Sequence, residues 1–312
     1  MAHPRRFRFG VQMSNTVDGK SWAETARRIE GLGFSSLFLP DHFTPQLAPI
    51  PAMMAAADAT TELRVGALVL DNDYRHPVVL AKELATIDLL SDGRLEIGLG
   101  AGWMRTDYEQ AGIPYDRPGV RIDRFEEGLA IVKGLFAEGP LSYQGRHYTV
   151  SALEGMPKPI QRPHPPFLIG AGGERMLSIA AREADIVGVN PSLTSGQVDA
   201  TTASDATADA YDRKVATLRA AAGDRFDELE LNCLLFFVAQ TDDRQALAAN
   251  LAPMFGLSPE QVLEAPIALI GTVDEMCETL EARRERWGLS YFVCQADAVD
   301  TFAPVVSRLA GT

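Results

Sequence analysis

The feature that most constrains this fold is the alternation of short apolar segments with segments of helical periodicity along nearly the whole chain. This pattern predicts a (β/α)8 TIM barrel with insertions. A doubly wound parallel sheet is the alternative. We favour the barrel because the glycine-rich turns lie mid-chain rather than after the first strand. The predicted strands are Phe9–Met13, Ser36–Leu39, Leu63–Leu70, Arg94–Gly98, Phe167–Ile169, Asp185–Asn190, Glu230–Val238 and Tyr291–Cys294.

Two stretches interrupt the alternation, at about 103–165 and 191–210. The first contains a polar segment, Arg105–Gly119, which predicts a loop, and two alternating runs within Leu141–Val150, which predict a hairpin. The second is rich in Ser, Thr, Ala and Asp and also predicts a loop. We expect one domain over 1–312 that carries both stretches as insertions, each a candidate lid that excludes water.

Composition excludes several classes of protein. The formal net charge of −13 argues against a nucleic-acid partner, since phosphate neutralisation needs clustered Lys and Arg. Cys233, Cys277 and Cys294 have neither disulfide nor metal spacing, which fits a reducing cytoplasm. We expect no metal site, because no ladder of His, Asp and Glu is present. Met1–Arg6 lacks the apolar run of a signal peptide, and no stretch predicts a membrane span, so we expect a cytoplasmic protein.

Two glycine-rich turns follow predicted strands. Gly98–Gly102 leads into Trp103, and Gly170–Gly173 opens a helical segment. Bare backbone lets N–H groups approach an anionic or planar ligand closely, and a helix start favours an anion. A tight turn and helix capping are the structural alternatives. The spacing does not match the dinucleotide-binding fingerprint.

A third strand end carries titratable groups instead of glycine. Asp41 and His42 follow the run Ser36–Leu39. In a barrel this end shares one face with both glycine turns, and there His42 is a candidate for proton transfer. His42 is also compatible with an ordinary loop histidine, and Asp41 with a helix cap.

Taken together, four groups of motifs resemble the bacterial-luciferase-like flavin and deazaflavin oxidoreductases over nearly the whole chain. Singly, none of them is specific; together they are. They are Leu39–Phe43, Arg64–Val69 with Arg75–Pro77, Leu90–Arg94 with Gly98–Trp103, and Pro165–Gly173.

The resemblance implies a (β/α)8 barrel with a tricyclic cofactor across its open end. In such enzymes the third strand is bulged, often with a non-proline cis peptide, which here falls within Gly66–Val69. The cofactor phosphate is expected at Gly172, Gly173 and Glu174, with Arg175 nearby. The pattern is most similar to the branch that uses coenzyme F420, a deazaflavin, with FMN as the alternative.

The resemblance also assigns residues to roles. His42 and Asp41 are the expected catalytic residues: His42 donates or accepts the substrate proton, and Asp41 orients His42 or hydrogen-bonds the cofactor. The expected substrate contacts are Met13, Gln46, Trp103 and Asn190. The expected cofactor contacts are Asp41, His42, Ala67, Leu68, Val69, Asn72, Gly100, Ala101, Gly102, Gly170, Ala171, Gly172, Gly173, Glu174 and Arg175.

The implied activity is hydride transfer between the deazaflavin and a small organic substrate. Deazaflavin-dependent glucose-6-phosphate dehydrogenases carry acids and an aromatic where this chain has Thr16, Trp103 and Gln46, so we expect a more apolar substrate. One alternative is an FMN-dependent monooxygenase served by a separate flavin reductase. A second is a non-catalytic flavin-binding paralogue. The resemblance further implies a homodimer.

Overall fold

The fold is described from a computed structural model that covers residues 5–17 and 19–312. Most of the N-terminal stretch in which we expected no signal peptide, Met1–Pro4, lies outside these residues. No described helix combines the length and apolar composition that crossing a bilayer requires.

Within the described chain, eight parallel strands close into the predicted barrel. In ring order they are β1 (Arg8–Gln12), β2 (Ser36–Leu39), β3 (Arg64–Ala67) continued by β4 (Leu70–Asp71), β5 (Leu95–Gly100), β8 (Phe167–Ala171), β9 (Ile186–Val189), β10 (Glu230–Leu235) and β13 (Leu289–Gln295). The ring closes where β1 pairs with β13, with Phe9 opposite Phe292. The predicted (β/α)8 barrel is confirmed.

Two small sheets lie outside the ring. The predicted hairpin is present as β6 (Pro140–Gln144) paired antiparallel with β7 (Thr149–Glu154). β11 (Phe237–Gln240) pairs in parallel with β12 (Ala268–Gly271). The predicted strand Glu230–Val238 is therefore two strands, because the chain leaves the barrel at Phe236 and joins a different sheet.

Helices follow the strands and cover the outside of the barrel. Their starts carry the expected signals: Ser21 and Glu24 form a capping box, and Pro77 occupies the first turn of its helix. The bounds are α1 Trp22–Gly31, α2 Pro49–Ala59, α3 Pro77–Leu90, α4 Arg105–Ala111, α5 Pro118–Phe136, α6 Glu174–Glu183, α7 Ala200–Ser204, α8 Ala208–Ala222, α9 Arg244–Phe255, α10 Pro259–Glu264, α11 Val273–Trp287 and α12 Val299–Leu309.

Two predicted loops contain helices. The segment expected to be a loop over Arg105–Gly119 holds α4, in which Asp107 and Tyr108 are buried. The segment 191–210 holds α7, whose start is capped by Asp199, and the first turn of α8. Both expectations were wrong because these short helices show little apolar periodicity: α7 depends on its Asp199 cap, and α4 depends on the tertiary contacts of Asp107 and Tyr108.

Apolar packing divides between two layers. Phe38, Leu68, Leu168 and Val293 belong to a cluster that fills the barrel interior. A larger cluster, which includes Leu37 and Leu39, lies between strands and helices. Neighbouring residues of one strand point to opposite faces, so Leu37–Leu39 contribute to both layers.

The amino end of the barrel is closed by a buried ionic cluster. Glu96 accepts hydrogen bonds from Arg8, from Arg64 Nε at 2.6 Å and from the Tyr291 hydroxyl at 3.0 Å. Arg8 also pairs with Glu230 at 2.7 Å. Although burial opposes ionisation, the two guanidinium groups lower the pKa of Glu96. The cluster closes the barrel at the end opposite the carboxyl ends of the strands.

Candidate active site

The carboxyl ends of the barrel strands bring the predicted site segments to one face. His42 follows β2, Trp103 follows β5, and Gly172–Gly173 follows β8. In parallel barrels this is the face that carries chemistry.

His42 is held by a carboxylate on another segment. Its Nδ1 lies 2.7 Å from Asp107 Oδ2, and the Tyr74 hydroxyl donates to the same oxygen at 3.1 Å. Asp107 is 2% exposed, whereas the His42 side chain keeps 21% exposure. The indole of Trp103 meets the imidazole edge to face, with ring centroids 5.5 Å apart. Because Asp107 accepts the Nδ1 proton, Nε2 is the nitrogen left to exchange a proton with a ligand.

Asp41 does not orient His42, contrary to one of its two expected roles. Its carboxylate accepts from both terminal nitrogens of Arg75, at 2.6 and 3.1 Å, and from the Asp71 N–H at 3.0 Å. It is 5% exposed. Asp41 therefore ties the end of β2 to the segment after β4, and Asp107 is the residue that orients His42.

The third strand has the expected irregularity. The peptide bond between Leu68 and Val69 is cis. The Leu68 carbonyl accepts from Gln12 Nε2 at 2.6 Å, and the Leu68 N–H donates to Leu39 at 2.8 Å. Neighbouring strands thus fix the backbone at the centre of the face.

The glycines of β5 and its turn are required by close packing. A Cβ on Gly98 would lie 1.8 Å from the Ala67 carbonyl oxygen, and one on Gly100 would lie 2.7 Å from Val69 Cγ2. Gly102 has φ +76°, and a Cβ there would meet the Tyr108 hydroxyl at 1.8 Å. Substitution of any of these glycines would displace the turn under Ala101 and Trp103.

A buried carboxyl group supports that turn from behind. Asp71 accepts hydrogen bonds from the Tyr108 hydroxyl at 3.0 Å and from the Asp73 N–H at 2.9 Å. Burial raises the pKa of Asp71 to about 7, with further contributions from the nearby Asp73 and Asp41 carboxylates. Asp71 therefore titrates near neutrality behind the β5 turn.

The turn after β8 combines a tight glycine with an open one. A Cβ on Gly172 would lie 2.5 Å from the Pro191 carbonyl oxygen, whereas one on Gly173 would meet nothing within 4 Å. Helix α6 begins after Gly173 without a side-chain cap and has Glu174 in its first turn. The geometry leaves backbone donors accessible to an anion.

Arg175, an expected cofactor contact, is paired with two acids of α5. Its guanidinium pairs with Asp123 at 2.7 Å and Glu126 at 2.5 Å, which joins α6 to α5. These exposed pairs raise the pKa of Arg175 and lower that of Asp123. The charge of Arg175 is thus balanced before any ligand binds.

The remaining predicted residues divide between the face and its surroundings. Val69 lies between Gly100 and Gly170, 3.5 Å from where a Gly170 Cβ would be. The Asn190 amide is close to the same position, at 3.6 Å. Ala171 and Ala67 are 1% exposed, so both residues are buried beneath the surface of this face.

Three predicted residues are committed to packing. Met13 is 1% exposed within the core, contrary to its expected substrate contact. The Asn72 amide faces Tyr148 at 3.4 Å and abuts Gly128 of α5, so its side chain does not reach the face. Gln46 donates to the Pro40 carbonyl at 3.0 Å and braces the segment that carries His42.

The two insertions touch each other beside Trp103. The Arg105 N–H donates to the Gly196 carbonyl at 3.1 Å, and the Tyr115 hydroxyl donates to the Trp103 carbonyl at 3.0 Å. A Cβ on Gly196 would lie 2.6 Å from the Tyr115 hydroxyl. The segment after β9 therefore lies along the Trp103 side of the face.

Sequence reasoning missed Asp107 because it lies in a segment without apolar periodicity. Its partner is 65 positions away along the chain. The local sequence pointed to Asp107 only in that an acid follows the β5 glycines and Trp103 after a few residues.

Comparison of the sequence and the fold with known proteins identifies the family of this chain. The relatives include an F420-dependent glucose-6-phosphate dehydrogenase of Microbacterium testaceum, 30% identical over 57% of this chain and 55% of that protein. An FMNH2-dependent dimethylsulfone monooxygenase of Pseudomonas putida is 28% identical over 64% of this chain and 60% of its own length. The barrel superposes on a coenzyme F420-dependent tetrahydromethanopterin reductase of Methanopyrus kandleri with TM-score 0.76 and 19% identity, covering 98% and 99% of the two chains. The luciferase-like monooxygenase family model matches residues 6–291, and the chain therefore belongs to that family.

Proposed function

We propose that this chain is an F420-dependent oxidoreductase that transfers a hydride between the deazaflavin and a small apolar organic substrate. The observation that carries the proposal is the His42–Asp107 pair beside Trp103, on the same face as the two glycine turns. An imidazole with one nitrogen anchored and one free suits proton exchange with a substrate.

The residues at this face fit a flat cofactor that carries a phosphate. Val69 offers an apolar surface between Gly100 and Gly170, and space at Gly173 leaves the uncapped start of α6 open. The bound cofactor supplies the hydride-accepting or hydride-donating ring. The chain's own contribution is to orient that ring and to hold the substrate against it.

His42 performs the proton step in this proposal. For a carbonyl substrate, Nε2 would give a proton to the oxygen as the hydride adds to the carbon, and would take that proton back from the alcohol in the reverse direction. Asp107 accepts from Nδ1, and with the Tyr74 hydroxyl on the same carboxylate oxygen it holds the ring so that Nε2 faces the ligand side. Trp103 limits the direction from which a substrate reaches His42.

Exposed apolar side chains support an apolar substrate. Phe43, Val198 and Phe236 are 53%, 69% and 51% exposed and follow β2, β9 and β10 on the same face. Such side chains favour an apolar ligand over a sugar phosphate. This argues against the substrate class named for the Microbacterium testaceum relative.

An FMN-dependent monooxygenase is the second candidate. It is favoured by the similarity to the FMNH2-dependent dimethylsulfone monooxygenase. In that case a separate reductase supplies reduced flavin. The formation of a homodimer and the need for a separate reductase both remain predictions.

Titration with the two cofactors tests the proposal. Purified protein is titrated with F420 and with FMN by fluorescence quenching, and oxygen uptake is then measured with each reduced form. Tighter binding of F420 without oxygen uptake supports the proposal. Preference for FMN with substrate-dependent oxygen uptake identifies the monooxygenase, and binding of neither ring contradicts both.

A further inference from the structure

The turn that precedes α6 is held from inside the protein by a buried lysine. Lys214 of α8 is 5% exposed, and its ammonium group donates to the Gly172 carbonyl at 2.6 Å and to Asp205 Oδ2 at 2.5 Å. Asp205 in turn accepts from the Ser192 N–H at 2.7 Å. One ammonium group thus joins α8, the β8 turn and the segment after β9.

A second side chain of α8 secures the neighbouring strand end. The Tyr211 hydroxyl, fully buried, donates to the Val189 carbonyl at 2.8 Å. Lys214 and Tyr211 therefore fix the ends of β8 and β9 from the same helix. The tight approach of Gly172 to Pro191 requires these two ends to stay in register.

The direction of the Gly172 carbonyl decides where the next N–H points. The Gly172–Gly173 peptide bond is trans, and in a trans peptide the C=O and N–H groups point in opposite directions. Since Lys214 draws the carbonyl inward, the Gly173 N–H faces outward at the start of α6. A cationic donor on the carbonyl also polarises the peptide and strengthens its N–H as a donor.

From this geometry we infer that Lys214 is a positioning residue for the cofactor phosphate. It acts through the Gly172–Gly173 peptide and does not touch the ligand. Arg175 cannot take this role, because Asp123 and Glu126 hold its guanidinium. The inference rests on the proposed function, since it assumes a phosphate-bearing cofactor at this turn.

Phosphate-bearing and phosphate-free ligands test the inference by binding alone. Dissociation constants are measured by fluorescence quenching for FMN against riboflavin, and for F420 against its dephosphorylated deazariboflavin. In Lys214→Met we expect about tenfold weaker binding of the phosphate-bearing member, the effect of one hydrogen bond to a charged group. The phosphate-free member should bind as to the wild type. Lys214→Arg should recover most of the loss.

Controls separate this inference from the proposed function and from misfolding. Lys214→Met leaves Asp205 without its cation, so the double variant Lys214→Met/Asp205→Asn is measured beside it, with thermal unfolding of both. The inference is overturned if the phosphate-bearing and the phosphate-free ligand lose affinity equally, or if a folded variant loses no affinity for either. Failure of the wild type to bind any of the four ligands overturns the proposed function instead.

Discussion

The two ends of the barrel hold buried charges in opposite ways. At the amino end, Glu96 receives two guanidinium groups and a hydroxyl. At the carboxyl end, Asp107 receives His42 and Tyr74, and the imidazole keeps its second nitrogen accessible. A buried carboxylate is thus fully engaged by donors at the amino end, whereas at the carboxyl end it holds an imidazole that has a free nitrogen. If the proposed role of His42 holds, stability and function depend on separate buried acids, and the following variants test this.

The largest expected effect on stability is at the amino end. Glu96→Gln leaves Arg64 without its carboxylate and Arg8 with Glu230 alone, and should lower the free energy of unfolding by about 3–5 kcal/mol. Because the pKa of Glu96 is lowered, its stabilisation is present above the unfolded pKa and lost as pH falls through the folded value. Urea unfolding at pH 7 and pH 4 measures both. Glu62→Gln, at an exposed position, is the control, and a loss below 1 kcal/mol at pH 7 contradicts the prediction.

The corresponding change at the carboxyl end should affect turnover. Asp107→Asn removes the charge that holds His42, and we expect about 100-fold slower turnover with the cofactor dissociation constant nearly unchanged. Glu109→Gln on the same helix is the matched control, since Glu109 is exposed and makes only a surface pair with Arg105. Wild-type turnover in Asp107→Asn would show that the pair is only structural.

A pH series tests the acid behind the β5 turn. Because the pKa of Asp71 is raised to about 7, the unfolded chain binds fewer protons than the folded one between about pH 4 and 7. Stability should therefore fall as pH rises through this window, by up to about 1.4 kcal/mol per pH unit from this group. Asp71→Asn should flatten the slope in urea unfolding. An unchanged slope would show that Asp71 is ionised throughout.

The smallest expected effects concern the two glycines of the turn after β8: one borders space for a ligand, and the other is packed against the backbone. Gly173→Ala should leave the melting temperature unchanged and weaken FMN or F420 by about tenfold, because the methyl group enters the open space at the α6 start. Gly172→Ala should instead lower the melting temperature, since its Cβ meets the Pro191 carbonyl. Calorimetry and fluorescence titration measure the two effects. Destabilisation by Gly173→Ala, or unchanged affinity, would remove the distinction.

Local sequence signals predicted most of the fold. The alternation of strands and helices, the Ser21–Glu24 capping box and Pro77 all have short-range causes, and the structure has them. The exit of the chain from the barrel at Phe236 was not predictable, because β11 is defined by its pairing with the distant β12. Tertiary pairing alone decides such an element.

The sequence predicted which segments form the candidate site, but it did not predict which side chains contact each other there. The adjacency of His42 to Asp41 suggested a pair, yet adjacent residues of an extended segment point to opposite sides. Asp41 therefore meets Arg75, and His42 meets Asp107. The ion pairs of Arg175 were not predictable for a similar reason, because α5 supplies two acids that the local sequence around α6 does not reveal.

The most direct test of the account is the rate of hydride transfer in His42→Ala. With reduced F420 bound and a substrate in excess, single-turnover oxidation of the cofactor is followed by absorbance. We expect a rate about 10²–10⁴-fold below the wild type at equal cofactor occupancy, with an unchanged melting temperature. A wild-type rate at equal occupancy would contradict the assignment of His42 as the proton-transfer residue.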